Sequence, residues 1–184
     1  MSYYTLKGIL KDALPVLMFM SIFSMISGTF LDIGNQEIKA FAAILLVVPP
    51  FVNMGGDIAS IVGARISSAL HLGYTLSFRK GKPIFTNLTS AFIVGLISFA
   101  VLGLSAETIL ILLNGSGIGY IKFMEITTLA GLSVTMILSL LSIGIAYISK
   151  KYGIDPDDMT IPIVTTLGDI MGIGFLIFIA SILL

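Results

Sequence analysis

Apolar residues occur along this chain in long runs that are separated by polar or Gly-containing segments. Because about 20 mainly apolar residues form a helix that crosses the hydrocarbon core of a bilayer, each run predicts a transmembrane helix. The five runs are approximately residues 9–31, 38–72, 84–104, 121–148 and 160–184. The pattern predicts an all-α integral membrane protein with five transmembrane helices, forming a single domain over residues 1–184.

The second run is longer than one membrane thickness and contains a Pro pair and a Gly pair between Pro49 and Gly56. A separate span after the Gly pair would carry Asp57 and Arg65, at about 2.5–3.5 kcal/mol for each at a helix centre. We therefore predict one long second helix, broken near Pro49–Gly56. In this helix Arg65 snorkels to the membrane boundary and only Asp57 lies deep.

Basic residues indicate how the chain is oriented in the membrane. They precede the first span and occupy the connections between spans two and three and between spans four and five, all on one side of the membrane. These residues are Lys7, Lys11, Arg79, Lys80, Lys82, Lys150 and Lys151. Because short basic loops stay in the cytoplasm, the expected arrangement is a multi-pass cell-membrane protein with a cytoplasmic N-terminus and an external C-terminus.

The amino-acid composition limits which solvent, partners and kinds of site this chain can have. The chain is 57% hydrophobic and 11% charged, with a mean hydropathy of +1.08, so its expected solvent is the lipid bilayer. Ten basic residues balance ten acidic ones, and nothing suggests a nucleic-acid partner. With no Cys and one His, a thiolate or multi-histidine metal site is excluded, so any metal must accept oxygen ligands. No nucleophile–base set, P-loop or H-E-x-x-H motif is present, and we expect no enzymatic activity.

Asp169 is the first candidate for a functional site. It lies about ten residues, or about 15 Å, into the fifth span, which is half of a hydrocarbon core of about 30 Å. Steps of three and four residues link it to a stripe of hydroxyls and exposed backbone. The stripe consists of Pro162, Thr165, Thr166, Asp169 and Gly172. Two interpretations remain open: a wall for a hydrated cation, or a structural carboxyl bonded to hydroxyls of a neighbouring helix.

Asp57 is the second candidate, with Asn53 one helical turn before it. Irregular backbone is tolerated at membrane depth where it lines a cavity or is packed in protein, so both carboxylates could face one aqueous path. Alternatively, Asp57 caps a helix that resumes after Gly56. We expect Arg65 to anchor the inner boundary and His71 to be an interfacial side chain. The acids at residues 155, 157 and 158 are either helix caps or a vestibule that concentrates cations.

Two segments resemble known sequence motifs. Residues 48–57 (VPPFVNMGGD), followed by RIS at 65–67, resemble the second-span motif of the MgtE-like magnesium transporter domain. Residues 155–169 resemble its fifth-span D-P…P…T-T…D motif. The eight-residue step from Asp57 to Arg65 is closer to the eukaryotic solute-carrier branch. That branch carries two such domains in one chain, so this chain resembles one half.

This resemblance implies five helices with the N-terminus inside and a homodimer with the ion path along its two-fold axis. It implies Mg²⁺ as the transported ion and Asp169 as the central site residue, with Thr165 and Thr166 in the same motif. The leading hypothesis is therefore a divalent cation channel or transporter whose path includes Asp169, Asp57 and Asn53. The alternative is a non-transporting membrane subunit whose intramembrane polar residues bind a partner protein.

Overall fold

The computed structural model describes residues 14–21, 41–73, 82–113 and 117–184. Helical residues 14–21 (α1) belong to the first predicted span, and the rest of that span lies outside the described residues. Four long helices follow: α2 (Phe41–His71), α3 (Lys82–Leu112), α4 (Tyr120–Lys151) and α5 (Pro156–Leu183). Each of the four is long and apolar enough to cross a membrane. The all-α class is therefore confirmed for the part of the chain that the structure describes.

The helices extend beyond most of the predicted spans. α2 and α3 each contain 31 residues, or about 46 Å at 1.5 Å per residue, against a hydrocarbon core of about 30 Å. The largest difference is at the end of α3, which continues to Leu112 although the predicted span ended at residue 104. The predicted span stopped before Ser105 and Glu107, but the apolar residues 109–112 continue the helix. Glu107 is tolerated within it because its carboxylate bonds to the backbone N–H groups of Ile118 and Gly119.

The break predicted near Pro49–Gly56 is absent, because α2 is helical throughout Phe41–His71. The Gly pair serves close packing instead. A Cβ added at Gly55 would lie 3.7 Å from Val134 Cγ1 on α4, and one added at Gly56 would lie 3.3 Å from Thr165 Cα on α5. These neighbours hold the segment helical, and a continuous helix also leaves fewer backbone groups unpaired in hydrocarbon.

α4 is the central helix and packs against α2, α3 and α5. Its inward face carries buried hydroxyls that bond to the backbone of the neighbouring helices. Ser142 Oγ donates to the Ala59 carbonyl of α2 at 2.9 Å, and Thr127 Oγ1 donates to the Phe99 carbonyl of α3 at 2.9 Å. Such interhelical bonds stabilise membrane bundles because apolar contacts alone distinguish little between a neighbouring helix and lipid.

Aromatic packing joins α2 to α3 in the largest core cluster. The rings of Phe51 and Phe99 have centroids 5.1 Å apart and are tilted by 49°, and both side chains are fully buried. Most of the other face of α3 is apolar and exposed on the protomer surface, including Phe92 and Ile97. α3 is thus the least buried of the four long helices.

The connection from α4 to α5 is a tight turn. Gly153 adopts a φ of 73°, a left-handed conformation that lets the chain reverse direction. Asp155 then caps α5 by accepting a hydrogen bond from the Asp157 backbone N–H at 3.1 Å, and Pro156 occupies the first helical position. The capping interpretation of this acidic segment is therefore confirmed for Asp155, and α5 begins four residues before the predicted span.

Candidate ion-binding site

The two intramembrane acids lie at the midpoints of their helices. Asp57 is 16 residues after Phe41 and 14 before His71, at the middle of α2. Asp169 is 13 residues after Pro156 and 14 before Leu183, at the middle of α5. A helix that crosses the bilayer places its midpoint near the membrane centre, where an unpaired charge is most costly.

α2 and α5 come into backbone contact beside these two acids. A Cβ added at Gly168 would lie 3.2 Å from Gly56 Cα, and one added at Gly56 would lie 3.3 Å from Thr165 Cα. At these distances a larger residue on either helix would force the backbones apart. Because Asp57 follows Gly56 and Asp169 follows Gly168, each carboxylate is carried by the residue next to the closest approach of the two helices.

Contacts on either side of this crossing define the relative direction of the helices. Towards one end, a Cβ at Gly63 would meet Thr160 Cγ2 at 2.6 Å. Towards the other end, a Cβ at Gly172 would meet Val52 Cγ1 at 2.9 Å. Since residue numbers fall along α2 as they rise along α5, the two helices are antiparallel. The crossing is thus a rigid, glycine-lined seam that fixes the relative positions of the two acidic helix segments.

On α2, the polar residues lie on the outer face of the protomer. Asn53 and Asp57 are both exposed and are one helical turn apart, so they share a face. The prediction that Asp57 caps a resuming helix is wrong, because α2 is continuous and Asp57 stands at its middle. Helix capping therefore does not explain why a carboxylate is placed at the middle of this membrane helix.

On α5, Thr165 and Asp169 are half-buried and also one turn apart, whereas Thr166 is only 8% exposed and lies on the packed side. Thr165 Oγ1 donates to the backbone carbonyls of Ile161, at 3.0 Å, and Pro162, at 3.2 Å. With its proton held by the backbone, this hydroxyl presents lone pairs to any donor beside it. A water in the hydration shell of a cation is such a donor.

The remaining charged candidates lie away from this crossing. Arg65 is exposed near the end of α2. His71, the last residue of α2, lies with Nε2 3.8 Å from Asp155 Oδ1 and Nδ1 3.3 Å from Lys150 Nζ, so it joins the end of α2 to the α4–α5 turn. Within the described residues, no group of three or more His, Cys, Asp or Glu side chains is arranged to hold a metal.

Sequence reasoning missed the role of Glu107. This acid lies beyond the predicted third span, which ends at residue 104, but the structure places it within α3, where it is 3% exposed. Its two carboxylate oxygens accept hydrogen bonds from the backbone N–H groups of Ile118, at 3.1 Å, and Gly119, at 2.9 Å, just before α4. Two features of the sequence indicate this role. The acid comes about one helical turn before the end of an apolar run, and a Gly-rich segment leads into the next helix. Its role is structural.

A family comparison covers the part of the chain that contains both acids. The family model of MgtE, described as a divalent cation transporter, matches residues 48–179, which include both acids and all of α3 and α4. The chain belongs to this family. The resemblance that was inferred from the motifs in the second and fifth spans is therefore confirmed.

Relatives in the solute carrier family 41 match this MgtE domain over most of its length. Member 2 from Gallus gallus is 24% identical over 164 residues, covering 84% of this chain and 28% of the relative. Member 3 from Rattus norvegicus is 26% identical, covering 75% and 30%, and member 2 from Homo sapiens is 25% identical, covering 95% and 32%. The chain thus spans about 30% of the length of these relatives. No solved structure matches it.

Proposed function

We propose that this MgtE-family chain moves a divalent cation, Mg²⁺, across the cell membrane along the two-fold axis of a homodimer. In this proposal Asp169 holds the hydrated ion, with Asp57, Asn53, Thr165 and Thr166 as further members of the site. The observation that carries it is the contact between the midpoints of α2 and α5, which brings two acidic segments together at membrane depth.

The exposed polar face of α2 supports the proposed homodimer. Asn53 and Asp57 face outward at the middle of a membrane helix, where contact with hydrocarbon costs about 2.5–3.5 kcal/mol for the acid alone. A second copy that covers this face removes it from lipid and places two carboxylates per chain beside a shared path. A two-fold axis makes such an interface self-complementary, since the same face is presented by both partners.

The inventory of oxygen donors supports Mg²⁺ as the ion. Carboxylate, amide and hydroxyl oxygens are the only side-chain donors in the proposed set, and they suit a hard cation. Mg²⁺ dehydrates reluctantly and keeps several waters, so a few acceptors that bind those waters are sufficient. Thr165 presents such an acceptor because its proton is held by the Ile161 carbonyl.

The proposed orientation places the ends of α2 and α4 and the start of α5 on the cytoplasmic side. Lys150 and Lys151 then lie on that side, in agreement with the positive-inside rule. With the membrane potential negative inside, the field favours inward movement of a divalent cation by about 4.6 kcal/mol per 100 mV, since one charge contributes about 2.3.

The decisive experiment is Mg²⁺ flux into liposomes that contain only this chain. We expect flux from the parent and loss of flux from Asp169→Asn, because the amide keeps the shape of the side chain but removes the charge that attracts the ion. Thr165→Ala should reduce flux less, since it removes one water-mediated contact and no charge.

Glu125→Gln is the matched control, because it removes the same charge from an exposed position on α4, outside the proposed site. It should leave flux near the parent level. A folded, dimeric Asp169→Asn variant with parental flux would refute Asp169 as the ion site. Absence of flux from the folded parent would favour the non-transporting membrane subunit.

A further inference from the structure

A groove between α2 and α3 opens on the surface of the protomer and has a volume of about 310 Å³. One end is polar and is lined by Arg65, Asn87 and Ser90. The other end is apolar and is lined chiefly by Ile58, Ile61 and Val94. The groove is therefore amphipathic along the direction of the helix axes.

Helix arithmetic places the polar end at the membrane boundary. Arg65 is six residues, or about 9 Å, before the end of α2 at His71, and Asn87 is five residues, or about 7.5 Å, after the start of α3 at Lys82. Helices of about 46 Å exceed a core of about 30 Å by about 8 Å at each end. Both polar side chains therefore belong to residues at the level where hydrocarbon meets headgroups.

The apolar end extends inward from there by the length of part of an acyl chain. Ile58 is seven residues before Arg65 on α2, and Val94 is seven residues after Asn87 on α3, about 10.5 Å deeper in each case. Because α2 and α3 run in opposite directions here, these two walls descend together from the polar end. A headgroup above and a tail below would match the two halves of the groove.

Arg65 supplies a positive charge to the polar end of the groove. It is exposed, and no Asp or Glu in the described ranges forms an ion pair with its guanidinium. A guanidinium binds phosphate oxygens through a planar set of N–H donors.

The polar end of the groove is displaced from the face that carries the proposed ion path. Arg65 lies eight residues after Asp57, which is about 80° around the helix, and Ile58 is about 100° around it. Both residues line the α3 side, whereas the α5 crossing is on the opposite side of Asp57, at Gly56. Ile61, one helical turn after Asp57, is the lining residue nearest to the face of Asp57. A phosphate at Arg65 therefore does not compete with an ion beside Asp57.

We propose that this groove binds an anionic phospholipid, with its phosphate at Arg65 and an acyl chain along Ile58, Ile61 and Val94. We expect an anionic phospholipid rather than a zwitterionic one, because a zwitterionic headgroup carries its own cation beside the phosphate. In the orientation proposed above, the lipid belongs to the cytoplasmic leaflet, where basic pockets between helices recognise anionic headgroups.

The test is native mass spectrometry of the purified chain with equal amounts of phosphatidylglycerol and phosphatidylcholine that have identical acyl chains. The parent should retain phosphatidylglycerol about fivefold over phosphatidylcholine, the ratio that corresponds to about 1 kcal/mol for one basic residue near an anionic surface. Arg65→Gln should bring this ratio close to one. Arg65→Lys, which keeps the charge without the planar donor set, should give an intermediate ratio.

Lys151→Gln is the matched control, since it removes a positive charge from the end of α4, outside the groove. It should keep the parental ratio. Equal retention of the two lipids by the parent would overturn the proposal without any variant, and so would a parental ratio in Arg65→Gln. Glycerol phosphate, a headgroup without tails, should not displace the lipid, and displacement at equal concentration would overturn the role of the apolar half.

The alternative occupant of the groove is a segment of this chain itself. In that case Asp12, in the first predicted span, is the candidate counter-ion of Arg65. This residue lies outside the described residues. In lipid-free detergent, the effects of Asp12→Asn and Arg65→Gln on the unfolding midpoint should be additive in a double-mutant cycle. Strong coupling would overturn the lipid proposal in favour of an internal ion pair. Neither measurement depends on transport, so failure here is distinguishable from failure of the proposed function.

Discussion

Single residues show why burial cannot be inferred from residue type alone. Glu107 is an acid that is 3% exposed, and it satisfies two backbone N–H groups at the entry to α4. Gly117 lies against this carboxylate, and a Cβ at this position would collide with it. The acid, the glycine and the two N–H groups therefore form one unit that joins α3 to α4.

Glu107→Gln should lower the free energy of unfolding by about 1–3 kcal/mol, because the amide nitrogen faces a backbone N–H and leaves it unsatisfied in a buried place. Glu125→Gln removes the same charge from an exposed position on α4 and should have little effect. Thermal unfolding of both variants in the same detergent checks this. Identical midpoints for the two variants would contradict the buried role of Glu107.

At the level of helices, glycine positions decide how the proposed site is built. The seam between α2 and α5 is closest at Gly56 and Gly168, each followed directly by an acid. Because the seam is made by backbone contacts, it leaves little freedom to adjust the spacing of the two helices. The relative position of Asp57 and Asp169 is thus set by residues that have no side chain themselves.

Gly168→Ala should reduce Mg²⁺ flux several-fold and destabilise the fold by about 1–3 kcal/mol, because the added methyl overpacks the seam against Gly56. Gly174→Ala is the matched control on α5, since a Cβ there meets nothing within 4 Å. Flux per folded protein and the unfolding midpoint should both stay near the parent value in the control. Parental flux in folded Gly168→Ala would show that the helix spacing does not matter.

At the level of the whole molecule, the polar outer face of α2 defines the proposed dimer interface. The chain has no Cys, so a single introduced Cys reports on one position only. Asn53→Cys should be linked into a dimer by a short bifunctional thiol reagent that can span the proposed path, because it lies on the face that two copies share. Ile97→Cys, on the exposed face of α3, should remain monomeric on a denaturing gel. Cross-linking through Ile97 but not Asn53 would place the interface on α3 instead.

The orientation of the whole chain is a second prediction at this scale. Tags at the N-terminus and near Lys80 should be cytoplasmic and a C-terminal tag should be external, because the basic connections lie on one side and the number of predicted spans is odd. Protease protection of each tag in sealed vesicles measures this. The two termini on the same side would refute the five-span topology.

The sequence by itself determined that the chain is a membrane protein, that it is helical and which family it belongs to, because these properties depend on local features of the chain. The length and hydropathy of each run located α2–α5 to within a few residues at most ends, and counting along the fifth run placed Asp169 near mid-membrane. The family motifs depend on short stretches of chain that are legible without any contact between helices. Both acids are therefore candidates that the sequence alone supplies.

The tertiary structure decided what each residue faces, because that depends on contacts between segments far apart in the chain. Only packing explains why α2 continues as a helix through its Pro and Gly pairs, and why Thr166 is buried while Thr165 is half-buried. The pairing of Gly56 with Gly168 joins residues more than 100 positions apart, and no local pattern specifies it. The groove at Arg65 likewise exists only because α3 packs beside α2.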